Sequence, residues 1–223
     1  MKNILLLLVL ALSFNISAQQ TIEKTIGEFK TVKVYDLINL KMKKSDENKV
    51  MISGKNRKDV QVINKNGKLK IRMKLEESYD GNDTDVVLHY TSVEVIDANE
   101  GAKVKVEDPI EQFEIDLKTQ EGGEITAELN TNYASFRAVT GGIINVSGSS
   151  KNQDVSIYTG GIINGETLKT EETEVSINAG GEAYINASEY VEVSIKAGGD
   201  VFIYGDPKVV DENRVLGGRI KRM

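Results

Sequence analysis

The stretch TGGIINVSG at Thr140–Gly148 returns nineteen residues later as TGGIINGET at Thr159–Thr167. Paired glycines recur at Gly122–Gly123, Gly141–Gly142, Gly160–Gly161, Gly180–Gly181, Gly198–Gly199 and Gly217–Gly218, with steps of 19, 19, 20, 18 and 19 residues between first glycines. Aligned on that pair, each unit shows a period of two on both sides. After the glycines, Ile125, Ile144, Ile163, Ala183, Val201 and Ile220 form one apolar column, and Ala127, Val146, Gly165, Ile185 and Ile203 a second. Between them lies a mainly polar column of Thr126, Asn145, Asn164, Tyr184, Phe202 and Lys221. Before the glycines, Val155 and Ile157, Val175 and Ile177, and Val193 and Ile195 flank Ser156, Ser176 and Ser194. Strand, tight corner, strand is the reading that fits.

A unit this short cannot bury its apolar face alone, whereas stacked copies bury a continuous core. The expected fold is all-β, a parallel β-helix or β-solenoid of about 19-residue coils. A degenerate coil, DANEGAKVKVEDP, precedes the six, with Gly101 and Ala102 at its corner and Val104 and Val106 facing inward, so the solenoid is expected from about Val93. The segment from about Gly27 to Tyr90 reads as antiparallel strands, with a two-residue hairpin turn at Asn66–Gly67 in KNGK. It is expected to cover the first coil as an N-terminal cap.

Residues 1–18, with Lys2, the apolar run ILLLLVLAL at Ile4–Leu12 and small Ser17 and Ala18, read as a secretory signal peptide cleaved after Ala18. Its apolar core is too short to span a bilayer, so the mature chain is expected to be exported, periplasmic or at the cell surface, and not membrane-spanning. The domain plan is 1–18 signal peptide, 19–90 β cap and 91–223 solenoid repeats, cap and solenoid forming one domain. Zero cysteines exclude a disulfide framework, a thiol nucleophile and thiolate metal ligands.

The GEFKTVKV opening, the INKNGKLKIRM hairpin, the EGAKVKVED stretch, the tandem glycine corners and the ending VFIYGDPKVVDENRVLGGRIKRM resemble the head GIN domain family (DUF2807), the auto-transporter adhesins of Bacteroidota. The resemblance covers essentially the whole mature chain. It implies a right-handed parallel β-helix and a surface or adhesive role. An auto-transporter carries its own C-terminal membrane barrel, which is not expected here because the sequence ends five residues past Gly218.

Candidate chemistry is sparse. The single histidine, His89, sits in the strand pattern VVLHY without a nucleophile motif to serve, and reads as a surface or cap residue. Glu182 and Asp200 follow their glycine pairs at equivalent places, so stacking sets them about 4.8 Å apart, close enough to share a proton or bind a cation. Glu124 shares their column, but so do Ile143, Ile162 and Arg219, as at a variable rim. Tyr184 and Phe202 fall in the outward column on adjacent coils, with Tyr204 two residues on, where a sugar ring or a partner surface could rest; the alternative is that they cover a flat sheet face or pack under the loop around Pro207.

Charge is uneven. Residues 41–74 hold twelve Lys and Arg against three acids, a net +9, while the rest of the mature chain has 15 basic and 31 acidic residues, a net −16. The alternation at Lys68–Leu75 puts Lys68, Lys70, Arg72 and Lys74 on one strand face, a basic patch for anionic polysaccharide, lipid headgroups or another rod's acidic flank, or else a solvated edge. The acidic balance and the export signal argue against nucleic acid, and no cofactor or metal is implied. The expected function is a non-enzymatic adhesin-like or cell-envelope scaffold protein. The partners left open are an envelope or extracellular glycan, a surface protein or a second copy of the chain, and the alternative is a carbohydrate-active β-helix enzyme, lyase or hydrolase.

Overall fold

The computed structural model describes residues 21–223; the signal-peptide reading lies outside them. Among the described residues the regular elements are all β-strands apart from one 3-10 turn at Leu75–Glu77. In order, the strands are β1 (Ile22–Thr25), β2 (Thr31–Val34), β3 (Asn39–Lys44), β4 (Lys49–Gly54), β5 (Val60–Lys65), β6 (Lys68–Met73), β7 (Thr84–Tyr90), β8 (Val95–Ala98) and β9 (Lys103–Val106). They continue as β10 (Ile110–Gln120), β11 (Glu124–Val139), β12 (Ile143–Tyr158), β13 (Ile162–Ile177), β14 (Glu182–Ala197), β15 (Asp200–Tyr204), β16 (Val209–Leu216) and β17 (Arg219–Arg222).

The solenoid is flattened and has two sides. Residues after each glycine corner form a front sheet and those before it a back sheet. Strands β11 to β14 are each 16 residues long and pass from front to back without leaving the extended conformation. Their pairing is parallel and in register, as in Ile125↔Ile144, Ile144↔Ile163 and Ile163↔Ala183. Every apolar column expected to face inward is buried, except Ile220 on the last coil, which is partly buried. Where β11, β12 and β13 turn from front to back, buried hydroxyls satisfy one another: Thr131 Oγ1 lies 3.0 Å from Ser150 Oγ, and Thr170 Oγ1 lies 2.8 Å from Thr173 Oγ1; in β14 the equivalent positions are Ala187 and Val191.

The two glycines of a corner answer two different constraints. At Thr140–Gly142, Thr140 (φ 49°) and Gly141 (φ 71°) are both left-handed, and nothing lies within 4 Å of where a Cβ on Gly141 would point, so Gly141 is there for its backbone angle. A Cβ on Gly142 would stand 2.5 Å from Thr119 Oγ1 and 2.8 Å from the Thr119 carbonyl carbon, so Gly142 is there because the coils approach too closely for a side chain.

The one 20-residue step is absorbed locally. Asn145 pairs with Asn164, but Ser147 pairs with Thr167, so β13 carries an extra residue around Gly165–Glu166. The following 18-residue step restores the offset, with Ile177 facing Ile195. The extra residue is a β-bulge on the front sheet, beside Tyr184.

Cap pairing is mixed. As expected of the cap, β1–β4, β4–β7 and β5–β6 are antiparallel, and Asn66 (φ 52°) with Gly67 (φ 71°) closes the hairpin. Strand β2 pairs parallel with β6 and β8, and β3 pairs parallel with β7 and β9, so β2–β3 is a solenoid rung inserted between the β6–β7 and β8–β9 rungs. Period two alone cannot distinguish these pairings, and the β2–β3 corner has no glycine to announce it. Its left-handed residues are Asp36 (φ 59°) and Leu37 (φ 61°). The Asp36 side chain is buried and accepts from the backbone N–H groups of Met73 (3.0 Å) and Tyr79 (3.2 Å), while the Leu37 N–H donates to the Glu100 carbonyl at 3.0 Å. Those bonds hold a corner that glycine would otherwise supply.

At the other end, Val210, Glu212 and Arg214 of β16 pair with buried Val191, Val193 and Ile195 of β14. Two charged residues therefore stand on the core-facing side of the last coil, 3.9 Å apart at their charged atoms. Inward charges of this kind oppose edge-to-edge stacking.

Two stability outcomes follow, both measured by urea unfolding. Gly141→Ala is expected to cost about 1 kcal/mol, from backbone angle alone, and Gly142→Ala about 2–3 kcal/mol, from overpacking against the neighbouring coil. Asp36→Ala is expected to cost about 2–3 kcal/mol, because the buried Met73 N–H and the part-buried Tyr79 N–H lose their acceptor.

Candidate functional site

Register carries one row of side chains straight across the outer face of the front sheet: Lys105, Thr126, Asn145, Asn164, Tyr184, Phe202 and Lys221. Parallel strands are spaced about 4.8 Å apart, so equivalent side chains on neighbouring coils touch. Asn164 Nδ2 donates to Asn145 Oδ1 at 2.7 Å, and Asn145 Nδ2 donates to Glu124 Oε1 at 3.0 Å. Next along the row, the Tyr184 and Phe202 rings are stacked, with centroids 4.7 Å apart and planes 9° from parallel. Beside the asparagines runs an open groove of about 520 Å³, lined by Lys105, Glu107, Thr126, Glu128, Asn145, Asn164 and the bulge residues Glu166 and Thr167. Tyr204 lies one row away as the register partner of Asn186.

The carboxylates expected as a pair, Glu182 and Asp200, are direct register partners. Each is engaged elsewhere. Glu182 Oε2 accepts from the Tyr184 hydroxyl at 2.8 Å, which fixes the edge of the aromatic stack. Arg219 grips Asp200 with two bonds, Nε to Oδ1 at 2.8 Å and Nη2 to Oδ2 at 2.5 Å. These hydrogen bonds hold the Asp200 carboxyl below the usual aspartate range, whereas a proton shared between two acids requires one carboxyl to rise. His89 stands on the outer face of the front sheet between Lys43 and Lys49. Among the described residues, no group of three or more His, Cys, Asp or Glu side chains converges to hold a metal.

On the back sheet, the expected basic face is only partly assembled. Lys68, Lys70 and Arg72 line one groove together with Gln61, Ile63, Lys65 and Asn66. Lys74 stands apart, its Nζ 2.9 Å from Asp59 Oδ1. Further along the same sheet, Asp154, Glu174, Glu192 and Asp211 occupy one register row, so the back face changes sign from the cap to the last coils. Burial, with Asp116 nearby, pushes the Asp154 carboxyl up.

Two features of these surfaces escape sequence reading. The asparagine ladder was visible only as a polar column, and its link to Glu124 needs side-chain conformations. Ile63 carries no sequence signal, since an alternating strand does not say which apolar residue is left on the outside.

The sequence profile described as "Putative auto-transporter adhesin, head GIN domain" matches residues 28–207. The chain belongs to the head GIN domain family. No curated protein sequence matches it. Among solved structures, a "putative adhesin" from Bacteroides fragilis superposes with a TM-score of 0.85 at 16% identity, covering 93% of this chain and 98% of that one. A "putative adhesin" from Parabacteroides merdae superposes with a TM-score of 0.73 at 17% identity, covering 93% and 97%. A "Putative lipid binding protein" from Parabacteroides distasonis superposes with a TM-score of 0.71 at 15% identity, covering 93% and 98%. At these identities the likeness establishes the fold. No helix among the described residues is long and apolar enough to cross a membrane.

The Arg219–Asp200 pair makes a pH-dependent outcome. Because the folded-state pKa of Asp200 is depressed, the pair's stabilisation is present above the unfolded aspartate value of about 3.9 and is lost as pH falls through the lower folded value. Arg219→Gln is expected to return the Asp200 titration toward that ordinary value, read by carboxyl-carbon NMR.

Proposed function

We propose that this protein is an exported, adhesin-like binding module of the cell envelope that holds a carbohydrate chain against the outer face of its front sheet. The observation that carries the reading is the stacked Tyr184–Phe202 pair continuing directly into the Asn164–Asn145–Glu124 hydrogen-bonded row. The half-buried Tyr184 and Phe202 rings offer the C–H groups of a pyranose ring an aromatic surface to rest on. Amide and carboxylate side chains supply the donors and acceptors that hydroxyl groups need. Because each coil places one side chain in the row, a chain laid along the solenoid axis meets a new partner about every 4.8 Å, amides first and then rings. The groove beside the asparagines gives such a chain a seat.

Family membership supports the adhesive reading, and the names of the fold neighbours describe adhesion and binding. The gripped state of Asp200 supports binding over turnover at the Glu182–Asp200 pair. Export is the function of the N-terminal signal segment, residues 1–18.

The test is a glycan array with purified residues 19–223 at low and at physiological salt, followed by titration calorimetry on any hit. A salt-resistant signal is expected, and Tyr184→Ala and Phe202→Ala should each weaken it about tenfold, near the upper end of the ~0.5–1.5 kcal/mol of an aromatic contact. Silence at both salt concentrations, or variants that bind as the parent does, would remove the carbohydrate reading and leave a protein partner.

A further inference from the structure

The hairpin β5–β6 gathers cations on its outer face. Register sets Lys65 opposite Lys68 and Ile63 opposite Lys70, and places Lys70 beside Lys33 of β2. Lys33 is bound to Asp97 at 2.6 Å. Among the described residues, Lys65, Lys68, Lys70 and Arg72 form no ion pair. Like charges on directly opposing strand positions are destabilising, so this concentration works against the sheet.

Protection of a sheet edge does not account for it. Charged residues are the usual guard on an edge strand, but β6 is an interior strand, paired with β5 on one side and β2 on the other. Three of the four free cations, Lys68, Lys70 and Arg72, lie on that interior strand. In their midst Ile63 is 46% exposed. The cations and Ile63 line one shallow groove of about 410 Å³.

We propose that this hairpin face docks on a lipid bilayer bearing anionic phospholipid headgroups. Ammonium and guanidinium groups meet the phosphates, and the exposed Ile63 side chain enters the boundary between headgroups and acyl chains. A soluble polyanion would answer the charges but leave Ile63 in water, and the lipid surface answers both. Position fits the assignment as well. The hairpin is at the cap end of the back sheet, whereas Tyr184 and Phe202 lie on the front sheet six and seven strands along, about 29 and 34 Å away along the axis at the spacing of parallel strands. Docking by the hairpin leaves the front face open, so the two contacts do not compete.

The test is co-sedimentation of the mature chain with vesicles of phosphatidylglycerol and phosphatidylcholine, against vesicles of phosphatidylcholine alone. Binding is expected only to the mixed vesicles. The double variant Lys68→Gln/Lys70→Gln should lower the partition coefficient roughly thirtyfold, from about fivefold for each cation, while Lys169→Gln, an exposed lysine elsewhere, should leave it unchanged. Ile63→Ser should reduce the fraction that stays bound at high salt, where the electrostatic part is screened. Tyr184→Ala should bind vesicles as the parent does, which separates this contact from the carbohydrate reading. Equal binding to neutral vesicles, or a double variant that binds as the parent does, would overturn the proposal. So would an Ile63→Ser variant with unchanged salt-resistant binding, together with heparin binding that falls in parallel with vesicle binding, since the surface would then be a polyanion site.

Discussion

The structure rests on how closely two backbones can pass at each corner. Gly142 lies where a side chain would collide with Thr119 of the preceding coil, and the same second-glycine position recurs at Gly123 and Gly161 against Ala98 and Ala138. That approach sets the coils at hydrogen-bonding distance along their length. In-register stacking follows, and with it the apolar columns inside and the like-on-like rows outside. Side-chain ladders on the outer faces are thus a consequence of corner chemistry, since equivalent residues on adjacent coils are brought within contact whatever they are.

What the outer rows can do depends on which residues occupy them. On the front sheet the row passes from hydrogen-bonded amides to a stacked pair of half-buried rings. On the back sheet it passes from unpaired cations at the cap to in-register carboxylates on the later coils. One scaffold therefore presents two chemically different faces at opposite ends. The ends of the rod are also treated differently: antiparallel strands β1, β4 and β5 flank the cap rungs, and Glu212 and Arg214 charge the inward side of the last coil.

Much of this was legible beforehand, for a specific reason. The glycine pairs, the two apolar columns and the hairpin at Asn66–Gly67 are local signals repeated or strongly typed, and each names its own conformation. The rung β2–β3 was not legible, because its corner uses Asp36 and Leu37, which look like ordinary strand residues until Met73 and Tyr79 arrive from 37 and 43 positions away to donate to the aspartate. The acid pair was legible as a pair through the repeat, but its engagement by Arg219 and Tyr184 required side-chain directions. The basic strand was legible as a stripe, yet only pairing showed that Lys74 is neutralised by Asp59 and that β6 is interior.

By itself, the sequence determined the repeat, the inward and outward faces of each coil and the family, because glycine spacing and a period of two are properties of neighbouring residues. Tertiary structure decided the order of the cap rungs, the joining of the asparagine row to the aromatic stack and the exposure of Ile63 among unpaired cations. Those depend on which distant strands pair and on what each side chain finds beside it, and a linear pattern does not carry that information.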